Sequence, residues 1–174
     1  MFRKQALIFV GMLAAVVVGI AVAFYLPWGA PDPPPQNDGE RLAFAARWLL
    51  VPGLALFAGI GMTANQRFLK VDAIDGERKV ENWAFEVNLR YNQNTLEQLA
   101  LAAVAWTGLT LALQADQLGI IPRLAGLFGA GRVAFWLGYL YAPWARAFGM
   151  GLTAYPSFAA LVFLVWRAFQ PIAE

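Results

Sequence analysis

Arg90-Tyr91-Asn92-Gln93-Asn94-Thr95-Leu96-Glu97-Gln98 opens an apolar run that continues to Leu118. Arg90, Asn94 and Glu97 stand at i, i+4 and i+7, which brings them to one side of a helix. Polar and charged groups at the mouth of a membrane-length helix are costly unless something polar meets them. The reading of the chain therefore turns on what lies opposite this stretch.

Working outward, four more apolar segments surround it. Ala6 to Trp28 carries no charge and follows Arg3 and Lys4. It supplies the ~20 residues that a helix needs to cross a bilayer core. It is longer than the apolar region of a signal peptide and ends in Phe24-Tyr25-Leu26-Pro27-Trp28, an interfacial aromatic cluster. A retained transmembrane helix over 1–28 is expected. Residues 29–40 hold Pro31, Pro33, Pro34 and Pro35 and form an extended connector. Arg41 to Ala64 is a second span, with Pro52 inside it. Gly53, Gly59 and Gly61 would let a neighbouring helix approach. Asn65 to Leu89 is charge-rich and reads as a solvated loop with a turn at Asp75-Gly76. Past Gly119, Pro122 suits the first turn of a fourth span reaching about Tyr141. Small residues at Ala125, Gly126, Gly129, Ala130 and Gly131 favour close packing there. Ala147 to Phe169 is the fifth span. The expected architecture is an all-α integral membrane bundle, with a four-helix domain over 41–174 preceded by one extra helix.

Composition agrees. Of 174 residues, 60% are hydrophobic and 14% charged, against roughly 25% charged in an average soluble domain. The mean hydropathy is +0.54. A net charge of +2 with no basic aromatic patch is too weak to argue for nucleic acid, and no nucleic-acid partner is expected. Cys and His are both absent. That removes disulfides, thiolate and imidazole catalysis, and the usual zinc and haem sites. No metal site is expected.

Lys and Arg mark cytoplasmic loops, so Arg3 and Lys4 predict a cytoplasmic N-terminus. The Pro-rich connector is then outside and the charged loop inside. The expected location is a multi-pass protein of a bacterial inner membrane. In this arrangement Arg90, Asn94 and Glu97 share a membrane side with Tyr139 and Arg146. Arg132 is ten positions past Pro122, about 15 Å deep at 1.5 Å per residue. An Arg at that depth needs an interior partner. Arg132, Tyr139 and Arg146 recur by sevens, a second polar face opening on the same side. Such a pocket suits a small, mainly anionic ligand, with Arg forks for carboxylates and Glu97 for an ammonium or amide proton.

Plainer roles compete for each residue. Asn94 and Glu97 fit the N-cap and N3 positions of a capping arrangement. Arg132 could bridge Glu97 or another carboxylate. Tyr139 could be an interfacial anchor and Arg146 an ordinary positive-inside residue.

The pattern Arg90-x-x-x-Asn94-x-x-Glu97 resembles the signature of the MAPEG family, the membrane-associated proteins in eicosanoid and glutathione metabolism. Arg132-Val-Ala-Phe135-Trp-Leu-Gly138-Tyr139 followed by Arg146 resembles the family's second polar segment. Phe135 stands where the best-studied enzymes have Tyr or His, and Gln98 where some have Tyr. The resemblance covers roughly Arg41 to Phe169 as a four-helix unit. It implies a homotrimer that binds glutathione as co-substrate near the cytoplasmic face. Arg90, Asn94, Glu97, Arg132 and Tyr139 would hold the tripeptide, and Arg146 would favour the thiolate. The implied activity is a glutathione-dependent transferase or peroxidase acting on lipophilic electrophiles from the bilayer. The alternative is a non-catalytic scaffold, lipid-binding or regulatory protein on the same fold.

Overall fold

The computed structural model describes residues 2–26, 31–69 and 82–170, and among them the regular structure is helical. The helices are α1 (Phe2–Tyr25), α2 (Asp38–Phe68), α3 (Trp83–Ala112), α4 (Ile120–Tyr141) and α5 (Ala147–Ala168). A short 3-10 turn, Ala115–Gln117, joins α3 to α4. Five helical segments are long and apolar enough to cross a membrane, so the chain is a multi-pass membrane protein. Pro27, Trp28 and the Asp75-Gly76 turn fall outside the described residues.

Successive helices run antiparallel, giving the bundle two ends. One end gathers the starts of α1, α3 and α5 with the ends of α2 and α4. The Trp83 Nε1–H donates to Leu140 O at 3.2 Å across it. At the opposite end Arg41 Nη1 donates to Thr110 O and Leu113 O, both at 2.7 Å. These carbonyls belong to the last turn of α3 and to its C-cap Leu113, where no further helical N–H reaches them. A cation there also complements the helix dipole.

Helix boundaries follow local chemistry more closely than hydropathy. α2 begins at Asp38, inside the expected connector, because Asn37 is its N-cap. The Asn37 side chain accepts from Glu40 N at 3.0 Å, and Glu40 accepts in turn from Gln36 N at 2.6 Å. α3 begins at Trp83, eight residues before the expected Tyr91. Asn82 is its N-cap, accepting from Ala84 N and Phe85 N at 3.0 and 3.4 Å. This overturns the capping reading of Asn94 and Glu97. They lie three to four turns inside α3, where every backbone N–H already has an acceptor. Arg90 is likewise two turns inside the helix and not at its mouth.

α1 stands at the edge. Only Ala15 of its residues is buried; Gly11, Gly19, Val22 and Ala23 are half-buried against the bundle and most of the rest are exposed. It touches α5 through small residues. A methyl group on Gly151 would sit 2.7 Å from Ala15 Cβ, and one on Gly11 would sit 3.3 Å from Phe148 N. Two small residues four apart let the backbones approach, which is how helices associate where lipid competes equally for apolar surface.

The centre of the bundle is built by α3, α4 and α5 with α2 across them. Ala102, Ala105, Trp106, Ile121, Ala125 and Phe128 are buried together, and the Trp106 and Phe128 rings meet edge to face at 6.1 Å. Of Gly53, Gly59 and Gly61, only Gly59 is a point of close approach, set against Tyr91 and Asn92. Gly53 and Gly61 face open space. The expected close approach therefore concentrates on one residue, because Gly53 and Gly61 are turned roughly 120° and 160° away from Gly59 around α2, while α2 itself lies along α3 from Arg41 at the Thr110 carbonyl to Gln66 at Asn88.

α4 and α5 cross at Gly131 and Gly149. A methyl on Gly149 would overlap Phe135 N and come within 2.5 Å of Gly131 O. Backbone cannot yield as a flexible side chain can. Gly149→Ala is therefore expected to destabilise the bundle by about 2–3 kcal/mol, the cost of overpacking a rigid contact. Gly53→Ala has nothing within 4 Å to meet and should be neutral or slightly stabilising. Unfolding of both variants in mixed detergent micelles makes the comparison, and equal stability would mean that the helix crossing is looser than described.

Candidate functional site

The polar residues singled out in the sequence form two groups at the end of the bundle where α3 begins. The deeper group centres on Arg132, on the fourth turn of α4 and 1% exposed. Its Nη1 donates to Asn94 Oδ1 at 2.8 Å. Its Nη2 donates to Thr153 Oγ1 at 2.7 Å and to Gly149 O at 3.4 Å. Thr153 passes its own proton to Met150 O at 3.0 Å. The guanidinium carbon lies 4.8 Å from the Phe135 ring centroid and 5.6 Å from that of Phe128. Arg132 is thus held by an amide, a hydroxyl, a carbonyl and two ring faces. A carboxylate bridge to Glu97 does not form.

The outer group centres on Tyr139, two turns further along α4 and also 1% exposed. Arg90 Nη1 donates to the Tyr139 hydroxyl at 2.9 Å, while Arg90 Nε donates to Glu86 Oε1 at 2.6 Å. Glu86 lies four residues before Arg90, the favourable order for such a pair. Trp83 packs edge to face on Tyr139 at 5.6 Å. The guanidinium carbon of Arg146 lies over the other part of this cluster, 4.5 Å from the Tyr139 ring centroid. Arg146 reaches that place because the link after α4 folds back over Gly138. A methyl on Gly138 would sit 2.6 Å from Ala145 O. The Tyr139 oxygen accepts from Arg90 and keeps its proton for another acceptor.

Phe135 joins the two groups. Its ring lies 5.7 Å from Tyr139 and 6.2 Å from Tyr91, besides carrying Arg132. The aromatic column of Tyr91, Phe135 and Tyr139 separates the deep guanidinium from the outer two.

Glu97 belongs to neither group. It is exposed and accepts from Gln93 Nε2 at 2.9 Å. The reason is angular. At ~100° per residue Arg90 and Glu97 nearly coincide, whereas Asn94 is turned roughly 60° from Glu97. Asn94 therefore points toward α4, while Arg90, Gln93 and Glu97 line the exposed side of α3.

A second polar seam lies behind α3. Asn88 donates to Gln66 at 2.9 Å and accepts from Trp136 Nε1 at 2.8 Å, tying α2, α3 and α4 together. Asn92 donates to Thr63 at 2.8 Å, and Thr63 donates to Gly59 O at 3.1 Å. The Tyr91 hydroxyl donates to Ala55 O at 3.1 Å. These bonds fix the rotation of α3, and with it the direction in which Asn94 and Arg90 point.

The chain is similar to Transmembrane protein 79 of Mus musculus. The two are 29% identical over 156 residues, which cover 83% of this chain and 36% of that protein. The chain thus spans about a third of the length of this curated relative. No family model matches the chain, and no solved structure matches it. The similarity agrees with a membrane-spanning chain, and the chemistry has to be argued from the site itself.

That site offers two guanidinium groups, Arg90 and Arg146, on either side of a buried phenol, with an exposed carboxylate one face away. Thr153, Gly149 and Glu86 complete it and were not singled out from the sequence. A hydroxyl three residues past Met150 in an otherwise apolar helix was the available signal for Thr153, since intramembrane polar groups seek partners across helices.

Proposed function

We propose that this protein is a membrane-embedded, glutathione-dependent transferase or peroxidase of the MAPEG type. Its site would open on the cytoplasmic face and accept lipophilic electrophiles from the bilayer. The observation that carries the reading is the convergence of Arg90, Tyr139 and Arg146 at one end of the bundle. They come from α3, from α4 and from the link before α5, and they match the residues on which the family resemblance rests.

Glutathione has two carboxylates, an ammonium and a thiol. Arg90 offers a planar fork for a carboxylate. Glu97 and Glu86 offer acceptors for the ammonium. The Tyr139 hydroxyl can donate to an amide or to sulfur. Asn94 accepts from Arg132 Nη1, while the buried Arg132 Nε–H has no partner among the described residues; the pair would set the position of α3 against α4 more than touch the ligand. Arg146 places positive charge beside the phenol, where a thiol would lose its proton to water and become the nucleophile. The sulfur then attacks an electrophilic carbon, forming a C–S bond as the leaving group departs with the bonding pair.

The exposed face of α3 supports self-association, in a homotrimer by the family resemblance. Arg90, Gln93 and Glu97 are followed on this side by the exposed Leu101 and Val104. A carboxylate facing hydrocarbon is expensive, and a second copy laid over this face would cover it while closing the ligand site between subunits. Arg3, Lys4 and Arg67 at the same end support a cytoplasmic placement.

A second reading is favoured by Phe135. It carries no hydroxyl and serves as a platform for Arg132, which fits a non-catalytic scaffold or regulatory protein equally well. Titration of the detergent-solubilised protein with glutathione separates the two. A saturable ultraviolet thiolate band near neutral pH is expected of the enzyme. Absence of the band together with absence of calorimetric binding would leave the scaffold reading.

A further inference from the structure

At the end of the bundle opposite the Arg90–Tyr139 site, a cavity of about 690 Å³ lies between α1 and the walls of α3, α4 and α5. Its size falls in the ~300–1,000 Å³ range of small-molecule pockets. Its lining is almost wholly carbon, supplied by residues such as Gly19 of α1, Leu109 of α3, Leu124 of α4 and Ala159 of α5. Three lining side chains carry polar atoms: Tyr155 on α5 and, at one margin, Gln117 on the 3-10 turn and Arg123 on the first turn of α4. Arg123 Nη1 donates to Ala23 O at 2.6 Å, near the end of α1. This bond fixes α1 as the wall of the cavity.

We infer that this cavity holds an acyl chain of a membrane phospholipid, with the headgroup phosphate at the Gln117–Arg123 margin. Three observations converge on that occupant. An apolar cavity excludes water, and at this depth the surrounding solvent is lipid. The α1 wall is itself lipid-facing, since Val16, Ile20 and Phe24 line the cavity and are exposed. Gln117 and Arg123 sit at helix ends, where a headgroup lies. From Ile120 to Leu127 the lining then descends about 10 Å along α4 with apolar residues. The extra helix α1 thus makes a lipid slot that α3, α4 and α5 would lack without it. The inference is independent of the glutathione reading, because the two sites lie at opposite ends of the bundle.

The test uses the full chain in lipid nanodiscs containing a phospholipid with a diazirine-bearing acyl tail. After irradiation, labelled residues are mapped by peptide mass spectrometry. Labelling is expected at Leu109 and Leu124, which are 6% and 7% exposed and shielded from bulk lipid, as well as on the outward face of α2 at Leu54 and Phe57. Gly19→Trp fills the cavity, and a side chain at this position meets nothing within 4 Å. It should cut labelling at Leu109 and Leu124 at least five-fold and leave Leu54 and Phe57 unchanged. Ala159→Phe should act in the same direction from the α5 wall. Labelling confined to Leu54 and Phe57 in the wild-type protein would overturn the inference without recourse to any variant. So would labelling of Leu109 and Leu124 that both variants leave intact. Labelling by a diazirine fatty acid where the phospholipid gives none would overturn the phospholipid assignment.

Discussion

Arg132→Ala should destabilise the bundle by about 3–5 kcal/mol, a loss that decides whether the protein folds at all in mild detergent. Two effects oppose each other. Removing a buried guanidinium relieves its desolvation, and buried charges often contribute little net stability for that reason. Against this, the truncation leaves the Asn94 carbonyl and the Thr153 hydroxyl without their donor. Each orphaned buried group costs about 1–3 kcal/mol. It also empties the space between the Phe128 and Phe135 rings, where large-to-small changes cost about 2–5 kcal/mol. The two losses outweigh the relief. Arg132→Met separates them, since it refills most of the volume and leaves only the orphaned polar groups. It should lie roughly midway between Arg132→Ala and the wild type. Unfolding in mixed micelles gives the ranking. If Arg132→Ala matched the wild type, Arg132 would be no keystone, and its bonds to Asn94 and Thr153 would be incidental.

Arg132 also illustrates what could be read without coordinates. Its depth followed from counting residues past Pro122, and the need for an interior partner followed from the cost of charge in hydrocarbon. The partner itself was half legible. Asn94 was in view, but Thr153 was not, because a threonine in an apolar helix satisfies itself on the preceding turn in many contexts. The five spans were legible because each is a long apolar run. The start of α3 was not. Charge density at Asp72 to Glu86 reads as loop, yet Asn82 caps a helix whose first turn is amphipathic. That displacement of eight residues changed the meaning of Asn94 and Glu97 from cap to interior positions. The glycines show a similar limit: Gly53, Gly59 and Gly61 are alike in sequence, and only the face that α2 turns toward α3 selects Gly59. The helical phase of Arg90 and Glu97 was read correctly as shared. The 60° offset of Asn94, which sends it inward while they face out, has meaning only when the neighbour is known. The cavity beside α1 was not legible, since its lining is gathered from four helices far apart in the chain and not from any residue pattern.

On the proposed glutathione-dependent reading, Arg146→Ala should cut thiolate formation at neutral pH by more than an order of magnitude while leaving the fold intact. Arg146 is half-buried on a link between helices and touches the bundle through the Tyr139 ring, so its truncation removes one cation–π contact of about 0.5–1 kcal/mol. The chemical effect is larger and has a definite dependence on pH. An unperturbed thiol ionises near 8.5 and is only a few per cent thiolate at pH 7. A cation within ~4–6 Å favours the anion and lowers that value by about 1–3. If Arg146 lowers it by about 2, most of the bound thiol is ionised at pH 7, and the variant should lose roughly 25-fold in conjugation rate there. The sign is fixed by the charge: the stabilised species is the anion, so its loss is greatest below the free thiol's pKa and vanishes above it. At pH 9 the variant and the wild type should therefore converge to within about two-fold. Arg146→Lys keeps the charge without the planar fork and should fall between them at pH 7. Rates with a generic aryl halide, measured from pH 6 to 9 alongside calorimetric binding of glutathione, distinguish the possibilities. A loss that persists at pH 9 with weakened binding would make Arg146 a contact for a carboxylate, and the thiol would then be activated elsewhere, with the Tyr139 hydroxyl the nearest remaining donor. Wild-type rates at all pH values would remove Arg146 from the chemistry altogether.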